Sequence, residues 1–154
     1  MGRTAVLRVG RDDTTRYVTP ARGPVGVEVD VVRPASTDEV RHVVRWARDH
    51  RVRLLPQGAN SGLVGASTPP AEHTGDAPGS RLVVLSTERL RDGLRIDPAD
   101  RTAVAPAGLR LSELNLVAAE LGLWFPIDLG ADPSIGGMVA TNTGGARMLR
   151  HGDV

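Results

Sequence analysis

Cysteine and lysine are both missing from this chain of 154 residues. Without cysteine there is no disulfide framework, thiolate zinc site, iron–sulfur cluster or cysteine nucleophile, so any redox chemistry needs a borrowed cofactor. Without lysine, all 19 basic residues are arginine, and both a Walker-type phosphate lysine and a Schiff-base lysine for pyridoxal phosphate are excluded. Aromatic residues are scarce, at two Trp, one Tyr and one Phe, and the net charge of +1 comes from mixed signs. Base stacking and phosphate tracking have little to stand on, so no nucleic-acid partner is expected. Long apolar runs are lacking too, which predicts no integral membrane segment and no signal core, and the chain reads as cytoplasmic. The four histidines, His42, His50, His73 and His151, have no metal-ligand spacing, and no metal site is expected.

A hydrophobic content of 40% in a chain of this length is enough for one domain with its own core. Residues 1–24 are rich in Arg, Asp, Thr and Pro and read as an N-terminal arm, with the folded domain at 25–154. VGVEVDVVRP (25–34) alternates valine with polar residues and stops at a proline, as a strand does. Ser36 and Glu39 form a capping box for a helix whose apolar face is Val40, Val43, Val44 and Ala47, with His50 and Arg51 in its last turn. RVRLLPQG (51–58) is the next strand, completing a strand, helix, strand unit. STPPAEHTGDAPGS (67–80) is a surface linker. RLVVLST (81–87) is a strand, and GLRIDPADRTAVAPAG predicts a hairpin across a DPAD turn. LSELNLVAAELG (111–122) predicts a helix with Leu114, Val117, Ala118 and Leu121 on one face, ending at Gly122.

Two segments are unusually bare. LPQGANSGLVGAS (55–67) leaves a strand with three glycines and no charge, so several backbone N–H groups can line one concavity suited to phosphate oxygens. Its spacing, Gly58, Gly62 and Gly65, is neither GxGxxG nor GxxxxGK, which disfavours a Rossmann or Walker site. Tight turns alone would explain these glycines equally well. IGGMVATNTGG (135–145) is small throughout, and suits either close approach of a large flat ligand or a small-residue helix packed on a sheet. The two uses are compatible.

PQGANSGLVGAS, together with FPIDLGADPSIGGMVATNTGGARMLRHGDV, closely resembles the FAD-binding domain of the vanillyl-alcohol-oxidase or PCMH type. The resemblance runs in particular to its D-lactate, glycolate and D-2-hydroxyglutarate dehydrogenase branch, and VVRPASTDEVRHVVRWA resembles the strand and helix that open that domain. The resemblance implies an α+β fold: the first α/β subdomain of the FAD-binding domain and the start of the second, stopping before the rest of the FAD fold and the cap domain. It implies FAD, with Gln57, Gly58, Ala59, Asn60, Ser61 and Gly62 on the loop that holds the pyrophosphate through backbone amides. Pro126, Asp128, Leu129 and Gly130, then Gly136, Gly137, Thr141, Asn142, Gly144 and Gly145, would line the other side of the cofactor.

Two departures from the family pattern matter. Ala59 stands where a second glycine is frequent, which keeps the amide but restricts positive φ. Asn60 stands where relatives that tether flavin covalently carry histidine, so noncovalent, dissociable FAD is expected. Arg147 and Arg150 read as surface residues, and so do His42, His50 and His73, whereas His151 falls where the family approaches the cofactor. No catalytic residue is carried over by the resemblance. It implies hydride transfer from a 2-hydroxy acid to flavin N5 and onward electron transfer to an acceptor, with a partner chain or a C-terminal continuation completing the fold. The alternative is a noncatalytic remnant, an α/β module whose glycine loops no longer hold cofactor.

Overall fold

A computed structural model describes residues 14–70 and 81–154, so most of the expected linker, His73 included, lies outside the described residues. In chain order the elements are α1 (Thr15–Val18), β1 (Asp30–Val32), α2 (Thr37–Asp49), β2 (Arg53–Gln57), β3 (Leu82–Ser86), β4 (Arg95–Asp97), β5 (Thr102–Val104), α3 (Leu111–Glu120), α4 (Ile135–Thr141) and α5 (Met148–His151). The architecture is the expected α+β mixture.

Strands β1, β3 and β2 lie side by side in that order, all parallel, with Val32 opposite Leu85 and Gln57 opposite Ser86. Helix α2 therefore carries the chain past one strand position, and β3 fills it. As the central strand, β3 is buried at every residue, which its unbroken LVVLS sequence suits. Pro56 lies within β2, at the sheet edge, where a missing N–H costs no ladder bond. Beyond the sheet, β4 and β5 form the antiparallel hairpin. Asp97 Oδ1 accepts the N–H groups of Ala99 at 2.9 Å and Asp100 at 3.2 Å, so the aspartate side chain shapes the DPAD turn.

The helix ends follow the chain's local chemistry. Ser36 Oγ accepts the Glu39 N–H at 3.2 Å, while the Glu39 carboxylate reaches back to the Ala35 N–H at 2.7 Å, one residue before the capping serine. After α3, Gly122 takes φ +69°, and the Leu123 and Gly122 N–H groups return to the carbonyls of Ala118 and Ala119. That closes the helix in a Schellman turn.

Five expectations need correction. The first strand is regular only at Asp30–Val32, and His50 and Arg51 lie beyond the end of α2, with Arg51 at φ +54°. The buried stripe of α2 is Val43 and Ala47, and Val44 is exposed. The stripe of α3 is Leu111, Leu114 and Ala118, whereas Val117 and Leu121 face outward. The expected arm contains α1, whose Tyr17 and Val18 are buried.

Two core clusters result. Tyr17, Val31 and Val84 pack on the sheet with Val29 and Leu55. Leu111, Ile127 and Met138 pack under the helices with Phe125, Leu129, Ile135 and Val154. No helix among the described residues is long and apolar enough to cross a membrane.

Candidate functional site

All three parallel strands end at one edge of the sheet, and the loops that leave it carry Arg33, Gly58 and Glu88. In open parallel sheets this carboxyl edge is where ligands bind. The first glycine loop leaves it directly from β2. Among the described residues, none of the backbone N–H groups of Gly58, Ala59, Asn60, Ser61 or Gly62 has an acceptor, nor has the Ser61 hydroxyl. Ala59 has an ordinary φ, and the left-handed residue is its neighbour Asn60, at φ +53°. Its alanine therefore leaves the loop unstrained.

The side chains of Gln57 and Asn60 are committed to the protein. Gln57, buried, donates from Nε2 to the carbonyls of Tyr17 at 2.8 Å and Ser67 at 2.7 Å. Asn60 Nδ2 donates to the Thr19 carbonyl at 2.9 Å, and its Oδ1 accepts from Ser67 Oγ at 2.8 Å.

The glycines divide by what surrounds them. A Cβ on Gly58 would overlap Ser134 Oγ and lie 3.7 Å from the Gly137 Cα, so the first loop is in contact with the start of α4. A Cβ on Gly136 would sit 2.8 Å from the Ala107 Cβ, and one on Gly145 would sit 2.5 Å from the Asp128 carbonyl oxygen. At these three positions the missing side chain makes room for neighbouring protein. Gly62 and Gly130 instead have nothing within 4 Å of such a Cβ, and the space beside them is open. Gly137 meets only Ser134 Oγ, and Gly144 meets chiefly the flexible end of Met148.

The second segment forms α4, so the small-residue helix is real. Ser134 caps it, accepting the Gly137 N–H at 3.3 Å, and Met138 is buried. Thr141 Oγ1 bonds the Gly137 carbonyl at 2.9 Å and lies 2.7 Å from Thr143 Oγ1. Asn142 takes φ +46° and donates to Asp153 Oδ2 at 2.6 Å. Pro126 is half-buried, and Leu129 packs in the second core. The Asp128 carbonyl accepts the Ala146 N–H at 2.9 Å, while its carboxylate pairs with Arg147 Nε at 3.1 Å. That guanidinium lies 4.7 Å over the Trp124 ring, and His151 meets the same ring edge-on at 5.7 Å. Arg150 is exposed. Among the described residues no cluster of His, Asp and Glu has the makings of a metal site.

Three supports of the site were not anticipated: Ser67, Ser134 and α1. Ser134 carries a legible signal, since a serine just before IGGMVA is a helix N-cap. Ser67 and α1 carry none, because their roles depend on contacts across the fold. Tyr17 OH donates to Glu88 Oε1 at 2.7 Å, and Arg16 at 3.1 Å and Arg33 at 3.3 Å share that oxygen. Burial, then the hydrogen bond and charge of Glu88, hold the Tyr17 phenol above its ordinary pKa.

Residues 30–154 match the FAD binding domain family. The chain belongs to that family. FAD is therefore its cofactor, and five amides in a row without acceptors, on an uncharged loop, fit the oxygens of a pyrophosphate. A D-2-hydroxyglutarate dehydrogenase of Xanthomonas citri pv. viticola is 38% identical over 94% of the chain and 28% of its own length. A D-lactate dehydrogenase of Archaeoglobus fulgidus is 34% identical over 92% of the chain and 29% of its own length. Among solved structures, an alkyldihydroxyacetonephosphate synthase superposes with a TM-score of 0.69 at 26% identity, covering 83% of this chain and 24% of that one. The chain thus spans under a third of the length of these relatives.

Proposed function

We propose that this chain is the FAD-holding portion of a flavin-dependent oxidoreductase that oxidises a 2-hydroxy acid. The observation that carries the reading is the run of unpartnered amides from Gly58 to Gly62 at the carboxyl edge of the parallel sheet. Those amides bind the pyrophosphate, with the Ser61 hydroxyl beside them and Gln57 anchoring the loop to the strand end. Pro126, Asp128, Leu129 and Gly130, with Gly136, Gly137, Thr141, Asn142, Gly144 and Gly145, build the opposite wall. Gly130 leaves that wall open to a flat ring. The chemistry the cofactor supplies when bound is hydride acceptance at flavin N5 from the carbon bearing the substrate hydroxyl. The substrate class rests on the names of the relatives, a D-2-hydroxyglutarate and a D-lactate dehydrogenase.

The test is the visible spectrum of the chain after incubation with FAD and desalting. Retained flavin bands, followed by anaerobic bleaching on addition of a D-2-hydroxy acid to an assembly of full relative length, are the expected result. A folded but colourless chain would overturn the reading.

A further inference from the structure

The glycine loop is tied at two points to a segment that precedes the sheet and twice across itself. Gln57 at its start bonds the Tyr17 and Ser67 carbonyls, Asn60 in its middle bonds the Thr19 carbonyl, and Ser67 at its end bonds Asn60 Oδ1. The recipient, α1, has four residues, too few to hold a helical turn by itself. It is held instead by Tyr17, whose ring packs on Val31 and Val84 and whose hydroxyl donates to Glu88. Glu88 follows β3 and Arg33 follows β1, so the carboxylate and the arginines around it staple α1 to the same sheet edge from which the loop departs. Asn60 completes the arrangement: asparagine tolerates its left-handed φ, and once there both ends of its amide are bonded.

We infer that Gln57 and Asn60 are positioning residues whose side chains touch no ligand, and that α1 is the buttress through which they hold the loop's amides ready for the pyrophosphate. A loop ordered before binding loses less freedom when the ligand arrives, and that saving appears as affinity. The inference rests on the FAD reading, but it also makes a claim about the chain without cofactor.

Three variants of the whole chain test it: Tyr17→Phe, Asn60→Gly and Ser67→Ala. Tyr17→Phe keeps the ring in the core and touches no ligand. Asn60→Gly keeps the left-handed backbone and removes the side chain. The first measurement is backbone 15N relaxation of residues 58–62 without FAD, and the second is FAD affinity by flavin fluorescence titration. Ordered amides are expected in the unaltered chain, and each variant should loosen them and weaken FAD by about tenfold. Combining Tyr17→Phe with Asn60→Gly should add little to Asn60→Gly alone, because both act through one linkage. Loss of affinity with Asn60→Gly but not with Tyr17→Phe, the amides staying ordered, would mean direct ligand contact and overturn the inference. So would relaxation unchanged in all variants. If the unaltered chain takes up no FAD, the functional reading fails, while the relaxation comparison still decides whether the buttress exists.

Discussion

Gly58 and Ser134 meet with no room for a methyl group between them: a Cβ on Gly58 would overlap Ser134 Oγ and lie 3.4 Å from the Ser134 Cβ. The serine is buried and its oxygen caps α4 through the Gly137 N–H, so it cannot turn aside without abandoning the helix end. Gly58→Ala should therefore cost about 1–3 kcal/mol as an overpacked contact. Ser134→Ala should cost about 1 kcal/mol through loss of the cap. The double variant should be more stable than the sum of the two losses implies, because removing Oγ relieves the overlap. Urea denaturation of the four proteins decides it, and strictly additive losses would mean that the two residues do not share a seam.

The other glycines make a sharper contrast. Gly145 lies against the Asp128 backbone, whereas Gly62 faces open space with a φ outside the left-handed region. Gly145→Ala should lower the melting temperature by several degrees, roughly what 1–2 kcal/mol produces in a domain of this size. Gly62→Ala should leave the melting temperature of the FAD-free chain unchanged, yet weaken FAD about tenfold or more if the cofactor occupies that space. Equal thermal losses in both variants would remove Gly62 from the ligand surface.

Much of this architecture is legible in local chemistry. Ser36 with Glu39, Gly122 after α3, the DPAD turn and the unbroken LVVLS strand each state their role within a few residues of sequence. The misread helix faces have one physical source, which is that periodicity marks an apolar face but not how much of it a neighbour covers. Val44, Val117 and Leu121 carry the right spacing and still lie exposed. Helix α1 was illegible because its burial depends on one tyrosine whose acceptor, Glu88, lies 71 residues further on. The bare loops were legible as places of close backbone approach, but sequence could not separate glycines that face a ligand from glycines that face Ser134, Ala107 or Asp128. That distinction depends on which chain segments meet.

Tyr17 is the chain's single tyrosine, so tyrosinate absorbance reports on it alone. Its pKa is raised by burial first and by Glu88 second, and the raised value favours the neutral phenol in the folded state. The resulting stability is fully present below the ordinary tyrosine pKa and is lost as pH rises through the higher folded value. Spectrophotometric titration should show tyrosinate appearing later in the folded chain than in urea-unfolded chain. Tyr17→Phe should flatten the alkaline fall in stability measured by denaturation at a series of pH values. Coincident titration of folded and unfolded chain would mean that the hydroxyl is not held by Glu88.

Flavin should leave this protein on denaturation. A covalent tether needs a nucleophilic side chain at the ring, and the chain has no cysteine. The first loop carries no histidine, and Asn60 has an amide that is not nucleophilic and is already bonded to Thr19 and Ser67. His50 is the residue that caps the C-terminal end of α2, its Nδ1–H donating to the Trp46 carbonyl at 2.8 Å. His151 is occupied against Trp124, beside an arginine that already pairs with Asp128. FAD-loaded chain precipitated with acid should therefore yield a colourless, nonfluorescent pellet with all flavin in the supernatant. Flavin fluorescence retained in the washed pellet would reveal a covalent bond and would make His151 the first residue to replace.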